Sequence, residues 1–299
     1  MEVKALEQSI VSLLEGALQF LGNCFGDLQA HLTTTPESFG GGGAWDAVLN
    51  INRGIQGLGY GLLIMFFLMS LCKSITNFKD LSLQSAIGWI VRFILVKFLI
   101  DYGVQILNFI INIAMGANEI IFDQAGSFEF AQVPQEVLDA VNAMEQAAWY
   151  ERLGAFFQMI PMYIVCFITM LIIWVCGVVM VITVYLRFFR VYIFSALAPI
   201  PLSTFGSPET SSTGKHFLKA YAGVCLEICV IAVGIVIFSA LISSQNMIFP
   251  SWMEDTTGGV NGVFWDTLMN YMLQLAMQSI MLVICITSAN KYIRDILGN

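Results

Sequence analysis

Charge is what this 299-residue chain has least of: Lys, Arg, Asp and Glu make up only 11% of it. An average soluble domain is about a quarter charged. Histidine is scarcer still, with only His31 and His216. The topology derived below puts these two on opposite sides of a membrane, which excludes a zinc site of usual composition. Basic residues are outnumbered, 13 against 21 acids, for a net charge of −8. A basic nucleic-acid-binding module is therefore excluded. The nucleophile elbow and the HExxH helix are missing. Gly214-Lys215-His216 resembles the end of a phosphate loop, but Glu209 stands where the first glycine belongs and no Ser or Thr follows the lysine. Enzymatic chemistry and a bound cofactor are not expected. A basic leader is missing too: the first residues carry Glu2 and Glu7, so no cleaved signal peptide is expected.

What is present is apolar. Hydrophobic residues make 58% of the chain, with 23 Phe and 15 Met, and mean hydropathy is +0.77. A helix crosses the hydrocarbon core in about 20 residues. Five stretches qualify, at about 55–72, 87–113, 155–186, 220–242 and 267–289. The third is longer than the core requires, with Pro161 as a kink or helix start. The expected fold is an all-α polytopic membrane protein. Phe188–Leu202, broken by Pro199 and Pro201, is too short to span and is expected at the interface.

Lys and Arg set the orientation. With five spans, Lys73, Lys79, Arg187, Arg190, Lys215, Lys219, Lys291 and Arg294 fall on one side, the cytoplasm. Three acids accompany these eight cations, a balance of +5; the other side has three cations against sixteen acids, a balance of −13. The C-terminus is then cytoplasmic and the N-terminus outside. Residues 1–46 form an extracytoplasmic amphipathic helix and a Gly-rich linker, and 47–299 the membrane domain. In the first helix Leu6, Ile10, Leu13, Leu14, Ala17, Leu18 and Leu21 recur at helical spacing. Its apolar face suits the outer leaflet or a neighbouring subunit. The linker Thr33–Gly43 holds four consecutive glycines, for flexibility or a tight turn. The outer loop 119–152 contains a second amphipathic candidate after Pro134, and 187–219 is the basic cytoplasmic loop.

Span two holds the most information. At 100° per residue, Lys97, Asp101, Gln105, Asn108 and Asn112 lie within roughly 80° of arc. Lipid does not accept such a stripe cheaply. It forms either an interhelical hydrogen-bond seam, with Lys97 and Asp101 paired, or the wall of a hydrated conduit. Span five repeats the pattern with Asn270, Gln274 and Gln278. Arg92 lies off the first stripe, at a depth similar to Glu227 on span four, which suggests an intramembrane ion pair between them. Gly54, Gly57 and Gly61 share a face that permits close helix contact. The seven Cys read as small apolar packers. Arg187, Arg190, Lys215 and Lys219 suit anionic lipid heads or an acidic partner.

The stretch RFFRVYIFSALAPIPLSTFG, closing on Ala196–Pro201, is followed by a small-residue loop and a helix opening near Lys219. Together with the span count it resembles the TrbL-like channel subunits of type IV secretion and conjugation systems, in the compact form of Gram-positive mobile elements. The resemblance covers roughly Ile55 to the C-terminus. It implies a non-enzymatic subunit in the bacterial cytoplasmic membrane, forming a homo-oligomeric ring, a pentamer. Its implied partners are secretion ATPases, a coupling protein and pilin-like proteins, and its implied substrate is single-stranded DNA bound to a relaxase. Two other readings stay open on the residues alone: a stand-alone small-solute or ion transporter, and a platform whose channel is formed by other subunits. No internal repeat favours the transporter.

Overall fold

The computed structural model describes residues 2–76, 83–125, 149–243 and 260–298. Among them the regular elements are helices: α1 (Glu2–Thr33), α2 (Gly43–Thr76), α3 (Leu83–Asp101), α4 (Gly103–Ala125), α5 (Trp149–Leu197), α6 (Pro199–Ser203), α7 (Ser211–Ser243) and α8 (Val260–Leu297). Five segments are long and apolar enough to cross a membrane: Phe39–Ser74, Gly103–Gln124, Tyr163–Leu197, Ser211–Phe238 and Leu268–Ile296. The protein is an all-α polytopic membrane protein. Most of the second amphipathic candidate, after Pro134, lies outside the described residues.

The chain forms two compact units. The first comprises residues 1–30, 122–183 and 231–288. Its core forms around the apolar face of α1, where Ile10, Leu14, Leu21, Phe25 and Leu28 are buried. Phe20 stacks on Trp174 of α5 at 5.4 Å between ring centroids, and Phe25 on Phe238 of α7 at 6.1 Å. Cys166 of α5 reaches Met272 of α8, sulfur to sulfur, at 3.0 Å. The amphipathic face of α1 is thus covered by this same chain. A lipid surface or a neighbouring subunit is not needed to bury it.

The second unit comprises residues 31–121, 184–230 and 289–299. The glycine linker is ordered here as a 3-10 turn, Phe39–Gly42, in which Gly40, Gly41 and Gly42 take φ of +65°, +75° and +84°. That left-handed region is cheap only for glycine. Phe39 stacks on Phe188, centroids 4.0 Å apart, and Tyr192 donates a hydrogen bond to the Pro36 carbonyl at 2.9 Å. The core gathers Leu63, Val96, Ile100, Leu107, Ile111, Val191, Ala198, Leu202 and Tyr221.

Three expectations change. First, the stretch 87–113 is not one straight helix. It straddles a break at Tyr102, with α3 on one side and α4 on the other. Helical hydrogen bonds flank the break, Tyr102 N–H to Phe98 at 2.9 Å and Ile106 N–H to Tyr102 at 3.1 Å. At the break a Cβ on Gly103 would stand 2.8 Å from Leu202 Cδ1, so the backbone there lies directly against α6. Second, Phe188–Leu197 is not a separate segment. It completes α5, a 49-residue helix about 74 Å long at 1.5 Å per residue. Helix α6 follows and packs inside the core, with Leu202 and Ser203 at 1% and 0% exposure. Third, residues 187–219 are not a loop. They hold the end of α5, all of α6 and the start of α7. Pro199 and Pro201 do break the long helix, and Pro199 opens α6 in the first-turn position where its missing N–H costs nothing.

Candidate functional site

The stripe of span two survives the break. Lys97 and Asp101 stand on α3, and Gln105, Asn108 and Asn112 on α4. Lys97, Gln105 and Asn112 are exposed on the chain, and Asp101 and Asn108 half-buried. Asp101 accepts a hydrogen bond from Tyr60 of α2. Asn108 donates to Glu37 at 2.6 Å. The expected Lys97–Asp101 pair is not formed, because the carboxylate turns to the phenol of Tyr60 instead. The stripe is therefore part seam and part open surface. Its open members are flanked by exposed Phe98, Phe109 and Ile113, at 54%, 66% and 58%.

The second stripe is less exposed. Gln278 is buried at 4% exposure, and Asn270 and Gln274 are half-buried in the first unit. The first stripe has three exposed members and the second none.

Glu227 is paired, though not with Arg92. Its carboxylate accepts from Arg190 Nη1 at 3.0 Å and 3.3 Å, with side-chain exposures of 39% for the arginine and 4% for the acid. Arg187 and Arg294 also interact with it electrostatically. Arg92 instead lines a wide apolar groove of about 530 Å³ beside Leu95, Leu99 and Phe205. Similar depth on paper did not decide the partner. The C-terminal half of α5 brings Arg187 and Arg190 to α7, while α3 keeps Arg92 elsewhere.

Arg187 likewise leaves the basic loop. It is 1% exposed, inside α5, with its guanidinium 5.0 Å from the Phe188 ring centroid. Its Nε, Nη1 and Nη2 have no hydrogen-bond partner among the described residues. Cation–π attraction and the Glu227 charge are what hold it there. Lys215 is exposed on the first turns of α7, and Lys219 is half-buried one turn further on. Lys219 donates to the Gly298 carbonyl at 3.3 Å, and Lys73 pairs with Glu209. These two contacts join the end of α2, the start of α7 and the C-terminus, the regions that charge alone assigns to one side.

Three residues that sequence reasoning missed hold this unit. Asn52 donates to the Ser195 carbonyl at 2.8 Å, Asn118 to the Leu32 carbonyl at 2.9 Å, and Tyr60 to Asp101. Asn52 and Asn118 are 3% and 0% exposed. Asn52 stands beside Asn50 and Arg53, and Asn118 beside Glu119, so neither is set apart in the sequence, and the acceptor, a backbone carbonyl on another helix, leaves no mark there. Gly54, Gly57 and Gly61 remain open, with nothing within 4 Å of a built Cβ, whereas Gly59 between them is packed against Pro199.

The fold so described, with α6 opening at Pro199 against Gly59 of α2, coincides with a family comparison. The family described as TrbL/VirB6 plasmid conjugal transfer like protein matches residues 23–199, well over half the chain. The chain belongs to that family. The match takes in the last third of α1, all of α2 to α5 and the first residue of α6. It begins earlier than the Ile55 start of the sequence resemblance and stops at Pro199. A comparison with curated proteins gives no match, and neither does one with solved structures. Membership makes this TrbL/VirB6-like protein a component of a conjugal transfer system, and its apolar helices make it a multi-pass membrane protein.

Proposed function

We propose that this chain is a non-enzymatic conduit or platform subunit of a conjugative type IV secretion complex. It works as a homo-oligomer, a pentamer by resemblance, in the bacterial cytoplasmic membrane. The N-terminus is outside and the C-terminus cytoplasmic. It helps move a DNA–protein substrate or pilin, alongside a secretion ATPase and pilin-like proteins. The observation that carries the reading is the open half of the first polar stripe. Lys97, Gln105 and Asn112 are exposed on a helical face flanked by exposed apolar side chains. Asn112 stands near the middle of the candidate span Gly103–Gln124 and Gln105 at its start, where a polar group facing lipid is costly. In the working assembly such a face is covered by a second copy or by water.

Single cysteines at Lys97, Gln105 and Asn112 test this in the assembled complex, with Ile113→Cys as the apolar-face control. A membrane-impermeant maleimide should modify the three stripe positions and spare Ile113→Cys. If all three stay as unreactive as the control, the stripe is a dry seam and the conduit reading fails for this face.

A further inference from the structure

The charge cluster around Glu227 opens on one side. Arg190, Lys219, Asn290 and Arg294 line a pocket of about 200 Å³, with Phe194 and Ile293 among its apolar walls. They come from three candidate spans: Arg190 from α5, Lys219 from α7, Asn290 and Arg294 from α8. Arg190 and Arg294 sit near the C-terminal ends of their spans, at Leu197 and Ile296, and Lys219 near the N-terminal end of its own, at Ser211. The pocket is therefore at an end of three helices, the depth at which headgroups sit. Three cations line it, and Glu227, the carboxylate bonded to Arg190, is already held by that arginine. A positive excess is left facing the cavity, with an amide beside it. Exposed Leu186 and Leu226 lie on two of these helices toward the middle of their spans, as surface for acyl chains.

We propose that this pocket binds the phosphate of an anionic membrane lipid. Two arginines and a lysine supply charge-assisted hydrogen bonds to the phosphate oxygens. Asn290 can donate to a glycerol or ester oxygen, and the Phe194 and Ile293 wall takes the first methylenes. Basic pockets between membrane helices recognise anionic headgroups in this way. The site is independent of substrate transfer and stands whether or not the stripe lines a conduit.

The full chain, purified in detergent, is loaded from mixed micelles with phosphatidylglycerol or phosphatidylcholine, and bound lipid is read by native mass spectrometry. Phosphatidylglycerol should be retained preferentially, and raised salt should weaken its retention. At about 1 kcal/mol per cation near a lipid charge, the Lys219→Gln, Arg294→Gln double variant should bind it roughly 30-fold more weakly. Lys291→Gln, exposed on the same helix, should not change binding. Equal retention of both lipids, salt-independent retention by the unaltered protein, or full retention by the double variant overturns the proposal. Displacement by millimolar inorganic phosphate overturns the lipid source and leaves a soluble-anion site.

Discussion

Gly59 and Gly61 stand two residues apart on α2, and the same substitution should move stability in opposite directions at the two positions. A Cβ at Gly59 would meet Pro199 Cβ at 3.0 Å, its carbonyl oxygen at 3.1 Å and its carbonyl carbon at 3.4 Å. Two of these are backbone atoms of α6, which cannot rotate away. At Gly61 nothing lies within 4 Å. Alanine in place of glycine gains about 0.5–1 kcal/mol in a helix interior, chiefly from the unfolded state. Overpacking costs about 1–3 kcal/mol. Gly59→Ala should therefore lose about 1–2 kcal/mol and Gly61→Ala gain about 0.5–1. The gap of about 2 kcal/mol is a factor of roughly 30 in the folding equilibrium. Unfolding in mixed micelles by titrated SDS, followed by tryptophan fluorescence, reads this difference. Equal shifts, or a stabilised Gly59→Ala, would refute the docking of α6 on α2. A Gly61→Ala protein that is more stable yet fails to oligomerise would assign the open glycine face to contact between copies.

Two further outcomes follow from the same geometry. Arg190→Met should cost about 3 kcal/mol, since it leaves the buried Glu227 carboxylate without its hydrogen-bonded partner. Glu227→Met should cost a similar amount, because buried Arg187 then loses its counter-charge. The double methionine variant should cost no more than Glu227→Met alone in the same SDS titration, and fully additive losses would show that the pair does not act as a unit. Burial, with Asp27 nearby, raises the thiol pKa of Cys24 above its ordinary value, whereas Cys72 is exposed. Less thiolate at a given pH means slower alkylation, so Cys72 should be modified by maleimide well before Cys24 at pH 7. The Cys24 rate should rise as pH is raised toward its thiol pKa. Equal rates at pH 7 would show that the apolar face of α1 is not covered.

Apolar length was readable, because a run of some 20 uncharged residues admits few structures. The count of five spans follows from it, and the helix at the N-terminus from the helical spacing of its apolar residues. What sequence hid was the neighbour of each charge. Arg187 and Arg190 look like the exit of a span, since two arginines in four residues suit a headgroup region. Inside the protein one lies over Phe188 and the other meets Glu227, and the helix runs on to Leu197. Arg92, Arg187 and Arg190 all stand at plausible depths for Glu227, and hydropathy alone does not choose among them. The break at Tyr102 was hidden for a similar reason. Gly103 is one small residue in an apolar run until Leu202, a hundred positions away, is placed against it. The stripe itself was legible from its period, while its division into seam and open surface depended on where Tyr60 and Glu37 came to rest.

The packing of α6 also has a consequence in time. Gly59 on α2 and Gly103, the first residue of α4, are the sockets for Pro199 and Leu202. A ribosome making about 5–20 residues per second needs roughly 5–20 s to travel from Gly103 to Leu202. For that interval α2 and α3 are already synthesised, yet the piece that fills the cleft between them does not exist. The nascent protein can close that cleft only once α5 and α6 have been made, so the docking of α6 comes late in the biogenesis of this unit, with α7 still to follow.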